Sequence, residues 1–458
     1  MPRLLKFIKL ITLASLSAML ALGQQQNLIV RASTGQGPAV VTKYGLTVLH
    51  QLDSAGDVVL ATTGNLIPTP AFITAAALDP TIKSVEPDAQ KELGEADSHS
   101  EASNSIVSTS VDPLVIGGTD LVNYYGSTVR SGYASQPVTT LIHIPDAQAA
   151  FGIGTAVVAI IDTGIDPTHP ALANSIVSGY DFINNVAGIP SDLAAVSGST
   201  VALLDQVSQP QSASAQLPFV LNGSTVALLD GSTVALLDGS TVALLDQQNV
   251  GEAFGHGTMV AGLVHLVAPG AKIMPLRAFQ TDGTGNMSAI IQAIYFAADH
   301  GAKVINMSFS STSASPALAA AIQYARSHKV ISVAAAGNSG AGIVVYPAGC
   351  GAIGVASINA AGYRSFFSNY GDADARTSAP GEALLTAYPG GGYAGVWGTS
   401  FSAALVSGTA AILGQIAPRA SQGDFSDALE HGKKLSTDNL GDASLDVLAV
   451  LQGYHPDN

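Results

Sequence analysis

The chain has almost no cysteine: Cys350 stands alone among 458 residues, so an intrachain disulfide is excluded and thiol usage does not report the compartment. Charge is also scarce. Lys, Arg, Asp and Glu make up 11% of the sequence, and 18 basic against 33 acidic residues leave a net charge of −15, which disfavours nonspecific attraction to nucleic acid or anionic lipid. Long apolar runs are missing too: the one near the start, Leu10–Leu22, falls short of the roughly 20 residues that span a bilayer. What is abundant is hydrophobic residues (47%), 48 Gly and 22 Pro, the composition of a loop-rich globular chain with a large core. At about 100 to 200 residues per domain, the length predicts two to four units.

Arg3, Lys6 and Lys9 precede the Leu10–Leu22 run, and Ala21-Leu22-Gly23 sets small residues before Gln24, so residues 1–23 are expected to be a secretory signal peptide and the product secreted or periplasmic. No membrane association is expected once it is removed. Residues 24–92 are predicted to form a small α+β unit, with strands at LIVRA, DVVLAT and KSVEP and helices around VVTKYGLTVL and PAFITAAAL. The polar Ser-, Ala- and Glu-rich stretch within 93–136 is predicted to be a linker, and 137–458 the main domain. Inside that domain GSTVALLD begins at Gly198, Gly223, Gly231 and Gly239. Its β-prone runs joined by Asp230-Gly231 and Asp238-Gly239 predict an antiparallel ribbon in a surface insertion at 198–246. One carboxylate per repeat is too sparse for a dedicated calcium site.

In the main domain TAVVAII is an uninterrupted apolar run ending at Asp162-Thr163-Gly164, the pattern of a parallel strand covered on both faces with a loop at its carboxyl end. Asp162 either caps that turn or faces a crevice; an aspartic-protease dyad is excluded, because no second Asp-Thr-Gly or Asp-Ser-Gly occurs. Gly255-His256-Gly257-Thr258 opens an apolar helix, leaving His256 as a helix-cap histidine or a general base. Pairing it with His265 on a metal fails on spacing. From Lys272 the order strand, helix, strand, helix, strand predicts right-handed βαβ crossovers, with Ser315-Pro316 starting the second helix and Asn338 at a strand's carboxyl end, a turn residue or an amide aimed into the crevice. Ser400 begins the helix FSAALVSGTAAIL, as an N-cap or as a nucleophile set where free N–H groups favour negative charge. Cys350 reads as a small buried apolar residue rather than a reactive thiol.

Asp162, His256 and Ser400 in the order Asp, His, Ser, with Asn338 available for an oxyanion, form a nucleophilic constellation; an α/β-hydrolase is excluded because its order differs and G-x-S-x-G is absent. At AVVAIIDTGID, GHGTMVAG, VINMSF, AAAGNSG and GTSFSAALVSG the sequence resembles the subtilisin-like serine proteases over roughly residues 145–416. The resemblance implies an α/β fold, a three-layer parallel sheet wound with helices, preceded by an inhibitory prosegment. It also implies peptide-bond hydrolysis through an acyl-enzyme, with protein or peptide substrates bound as an added strand between Thr284-Gly285 and Ser308-Phe309-Ser310. Ala335, Ala336 and Gly337 would line the S1 wall, favouring uncharged or apolar P1 side chains. The chain would act as a monomer without a required cofactor, inhibited by its own prosegment until cut between Val85 and Gln136. Three departures stand out. Met259 replaces the usual histidine after His-Gly-Thr, SFSAA lacks the proline after the nucleophile, and GLVHL runs straight into VAPGA without the insertion that carries the strong calcium site. The alternative is a catalytically weak relative whose GSTVALLD surface is the binding element.

Overall fold

Val158, Ala159, Ile160 and Ile161 are fully buried, as a strand with apolar residues on both faces requires. In the computed structural model, which describes residues 27–64, 78–93, 120–195, 253–371, 375–435 and 439–455 together with Ala76, Gly118 and the backbones of Val226–Leu229 and Ser232–Leu236, this strand lies inside an eight-stranded sheet. The order is Val186–Gly188, Gly179–Asp181, Lys272–Arg277, Val157–Asp162, Val304–Met307, Ile331–Ala335, Ile353–Ile358 and Thr377–Pro380. Every pairing is parallel except the edge hairpin at Val186–Gly188.

Helices cover the sheet and complete the expected three-layer α/β architecture. Met287–Asp299 packs on Pro316–Ser327, whose start is fixed as predicted by the Ser315 side chain accepting from Leu318 N. Thr399–Ile416 lies along Val304–Met307, Ile331–Ala335 and Ile353–Ile358 and against the helix His256–Val267. It is long and apolar enough to cross a bilayer, yet 89% of it is buried, so its hydrophobicity belongs to the core. At the crossing of these two helices a Cβ on Gly408 would stand 2.6 Å from Val267 Cβ; glycine is what lets the helices approach.

Ahead of this body, Thr47–Gln51, Val58–Thr62, Asn27–Ala32 and Ile82–Pro87 form an antiparallel sheet in that order, with the helix Gly37–Lys43 beside it. Leu28, Val30, Val40, Val41, Val59 and Val85 make its separate small core. The helix expected over VVTKYGLTVL stops at Lys43. Gly45 takes φ +71°, and the following Thr47–Gln51 pairs with Val58–Thr62 instead, where β-branched Thr47 and Val48 fit a pleated surface. Residues 121–134, assigned to the linker from composition, belong to the main body: Leu121–Tyr124 and Ser127–Arg130 form a hairpin, and Tyr124 and Tyr133 donate their hydroxyls to Leu266 O and Gly262 O. The readings of residues 1–23, of most of PAFITAAAL and of the copies beginning at Gly198 and Gly239 lie outside the described residues.

The repeat does form a ribbon. Val226–Leu229 pairs antiparallel with Ser232–Leu236, with Leu229 opposite Ser232. Ser232–Leu236 also pairs with Gly392–Trp397, Thr233 opposite Trp397, so the insertion extends the sheet whose inner strand runs into Ser400. Consecutive copies are identical, and a shift by one whole repeat keeps every side chain on its face. Deleting residues 239–246 is therefore expected to leave melting temperature and circular dichroism unchanged, whereas deleting 223–246 removes the strand added to Gly392–Trp397 and lowers the melting temperature.

Candidate active site

The carboxyl ends of neighbouring parallel strands bring the predicted residues together. Asp162 ends its strand, Ser308 follows Val304–Met307, and Asn338 follows Ile331–Ala335. The two helix starts, His256 and Thr399-Ser400, meet over this edge; the His256 and Phe401 rings lie 5.7 Å apart. A Cβ on Gly257 would fall 2.0 Å from Gly164 O, so only glycine allows the histidine's helix to sit this close to the Asp162 loop. Gly255 takes φ +80° to begin that helix.

His256 Nδ1 lies 2.9 Å from both carboxylate oxygens of Asp162, and both residues are fully buried. Asp162 Oδ1 also accepts from Thr163 N at 2.8 Å. An ionised carboxylate only accepts, so the imidazole proton resides on Nδ1 and the Nε2 lone pair is the basic one. His265, nine residues on and so on the opposite face of the helix, lies 3.2 Å from the Tyr133 hydroxyl, and burial pushes its pKa down to about 4. It is a neutral core histidine. Among the described residues no three His, Cys, Asp or Glu side chains are grouped to hold a metal ion.

Ser400 is held from below by Ser308, expected from the sequence to flank substrate but fully buried here, and by Asn306 and Ser407, which sequence reasoning did not single out. Its Oγ donates to Ser308 O at 3.1 Å, Ser308 Oγ donates back to Ser400 O at 2.8 Å, Asn306 Nδ2 donates to Ser308 Oγ, and Ser407 Oγ donates to Asn306 Oδ1. The available signal was Asn306 inside the apolar strand VINMSF, a polar residue that burial obliges to be paired. Asn338 Oδ1 accepts from Thr399 N and Thr399 Oγ1, both at 2.9 Å. A backbone N–H can only donate, so this fixes the flip of the amide and turns its NH₂ to the opposite side.

Of the residues expected to bind peptide, Thr284 and Gly285 pair antiparallel with Glu92 and Lys91, and Leu93 N donates to Gly283 O. The segment Gln90–Leu93 thus lies on the strand predicted to receive substrate. Ala335 and Gly337 sit at the strand end, with Gly337 at φ +90°. Ser310 Oγ would stand 3.0 Å from a Cβ there. Two of these residues, the expected wall residue Ala336 and the expected substrate-flanking Phe309, are placed differently. Ala336 packs in a cluster with Ala356, Ile358, Ala375 and Leu440, and Phe309 packs its ring on Phe279 at 5.1 Å, so both side chains serve the protein body rather than the crevice. Cys350 donates to Pro347 O, and burial pushes its thiol up to about 12.

Residues 154–448 match the model of the subtilase family, peptidase S8. Thermitase of Thermoactinomyces vulgaris is 32% identical over 269 residues, 56% of this chain and 74% of its own length. Subtilisin Savinase of Lederbergia lenta is 38% identical over 174 residues, 36% of this chain and 64% of the relative. Among solved structures, fervidolysin from Fervidobacterium pennivorans aligns with a TM-score of 0.66 at 22% identity, covering 94% of this chain and 62% of its own, and so bears on the fold alone.

The bonds beneath Ser400 give a direct expectation. N306A leaves the buried Ser407 hydroxyl without its acceptor and takes from Ser308 Oγ the bond it accepts, and at about 1–3 kcal/mol for an unsatisfied buried group the urea unfolding midpoint of the inhibited protein should fall; an unchanged midpoint would mean that the network contributes nothing.

Proposed function

The chain belongs to the subtilase family of serine endopeptidases, and on that footing we propose that it is a secreted enzyme made as a self-processing zymogen with Asp162, His256 and Ser400 as its triad. The contact of His256 Nδ1 with both Asp162 oxygens at 2.9 Å carries the reading. Asp162 holds the tautomer whose Nε2 can take the Ser400 proton, and its buried charge stabilises the imidazolium that results. The Ser400 hydroxyl turns from Ser308 O to the imidazole, and Oγ attacks the scissile carbonyl. The oxyanion is received by the Asn338 NH₂ and by the Ser400 N–H at the start of its helix. In the resulting tetrahedral intermediate His256⁺ gives its proton to the leaving amine as the C–N bond breaks, leaving the acyl group on Ser400; water, deprotonated by the now neutral imidazole, attacks that ester and releases the acid.

Substrate would add as a strand to Thr284–Asn286, the edge that Gln90–Glu92 covers. The N-terminal unit is then an intramolecular inhibitor. Two of its carboxylates support this by capping helices of the catalytic body: Asp88 accepts from Ser288 N and Oγ, and Glu86 accepts from Ser315 Oγ and Ala317 N. Since Leu93 still lies on the cleft strand and Leu121 is already part of the body, the maturation cut is expected between residues 93 and 121.

A fluorophosphonate probe tests the catalytic assignment: it should label secreted wild type at Ser400, leave S400A unlabelled, and find S400A still joined to its prosegment. Labelled S400A, or wild type that is correctly folded and unlabelled, would favour the binding-protein alternative.

Release of the prosegment should depend on pH. Docking buries Glu86 and pushes its pKa from the ordinary 4.5 up to about 7, with Ser315, Ala317 N and the charges of Arg31 and Lys91 opposing the shift. The docked form retains a proton that the released form gives up, so docking is strongest below pH 4.5 and weakens as pH rises through 7. After cleavage, release should be faster at alkaline than at acidic pH, and E86Q should flatten this dependence.

A further inference from the structure

Asp192 is a buried carboxylate that the mechanism above does not use. It lies in the short helical turn Asp192–Ala195, just before the repeat insertion, and is 1% exposed. Its Oδ1 accepts from Thr163 Oγ1 at 2.8 Å, and its Oδ2 from Thr258 Oγ1 at 2.6 Å and Thr258 N at 3.3 Å. Each threonine hydroxyl has a single proton, and both protons go to Asp192. The oxygens of those hydroxyls remain available to accept, and they do: Thr163 Oγ1 from Gly257 N at 3.2 Å, Thr258 Oγ1 from Asp166 N at 2.8 Å. Thr163 directly follows Asp162 and donates its own N–H to the Asp162 carboxylate, while Thr258 lies in the first turn of the His256 helix.

We propose that Asp192 is a positioning residue for peptide hydrolysis, one carboxylate that locks the Asp162 loop and the first turn of the His256 helix in a single register. The inference rests on the triad reading and deepens it. Without Asp192 the two hydroxyls lose their shared acceptor, and the loop and helix that present Asp162 and His256 keep the Asp–His bond and the two bonds from Gly257 N and Asp166 N, whose threonine oxygens are then no longer held in place.

Asp192 also acts through its charge. The ionisable groups around it are Asp162 on the strand, His256 on the helix and Asp166 on the loop, whose carboxylate is taken up by Thr168 and Gly390 N. Arg277, beside Asp162 across the sheet, is engaged with Asp181. Among the described residues no Lys or Arg bonds Asp192, and burial, with Asp162 adding to it, pushes its pKa up to about 6. Above that pH a second negative charge stands behind Asp162 and favours the imidazolium.

The test compares wild type, D192N and T258V, with active sites counted by fluorophosphonate labelling so that a failure of the Ser400 assignment, seen as unlabelled wild type, is separate from a failure of this proposal. D192N should lower kcat on the order of 10- to 100-fold with little change in KM, as misplacement of a catalytic group does, and should move the acid limb of the kcat profile to lower pH. T258V, which removes the 2.6 Å bond and leaves the charge, should lower kcat without moving that limb. A D192N enzyme with wild-type kcat per labelled site and an unmoved acid limb overturns the proposal, even if it melts at a lower temperature. If D192N does not mature, T258V decides: wild-type kcat per labelled site overturns the proposal, and a reduced one supports it.

Discussion

A carboxylate with no exposure to water, facing an imidazole, is the constraint around which this protein is arranged. Burying the Asp162 charge is costly unless it is paired and hydrogen-bonded, and the structure supplies both, through His256 Nδ1 and Thr163 N. The same burial excludes water that would weaken the interaction. It also demands that a strand end and a helix start from residues 94 positions apart meet at hydrogen-bond distance. Gly257 makes that approach sterically possible, since a side chain there would collide with Gly164 O.

The nucleophile is placed by different means. Ser400 stands in the first turn of the buried helix Thr399–Ile416, and its hydroxyl and carbonyl exchange bonds with Ser308, itself tied to Asn306 and Ser407. Such a network is rigid only when every member is satisfied, and its bonds run without a break from Asn306 through Ser308 to Ser400. The N-terminal unit attaches to the same body through polar groups: a three-residue strand on the edge Thr284–Asn286 and two carboxylates on two helix starts. Those contacts are specific in geometry yet weakened by the cost of burying charge.

Much of this was legible along the chain because the relevant groups sit in short local patterns. An apolar run ending in Asp162-Thr163-Gly164, glycines around His256, and Ser400 opening an apolar helix each announce a strand end or helix start, and the β-prone GSTVALLD repeat announced its antiparallel pairing. Where composition stood in for pattern, it misled. The 93–136 stretch reads as linker by its polarity, yet Tyr124, Tyr133 and Gln136 at its end anchor to Leu266, Gly262 and Leu385. Likewise Thr47–Gln51 reads as helix by periodicity and becomes a strand because Val58–Thr62 offers it a partner.

By itself the sequence determined the class of sheet, the order of the candidate catalytic side chains and the family, since period, turn chemistry and contiguous motifs are properties of neighbours along the chain. Only the tertiary structure decided which side chains hold those groups in place. Asp192 meets Thr163 and Thr258 across 29 and 66 residues, the repeat ribbon finds the strand leading to Ser400, and Glu86 finds a helix start 231 residues away. Such bonds join atoms that are adjacent in space and distant in sequence, and no local pattern encodes the loop closures that bring them together.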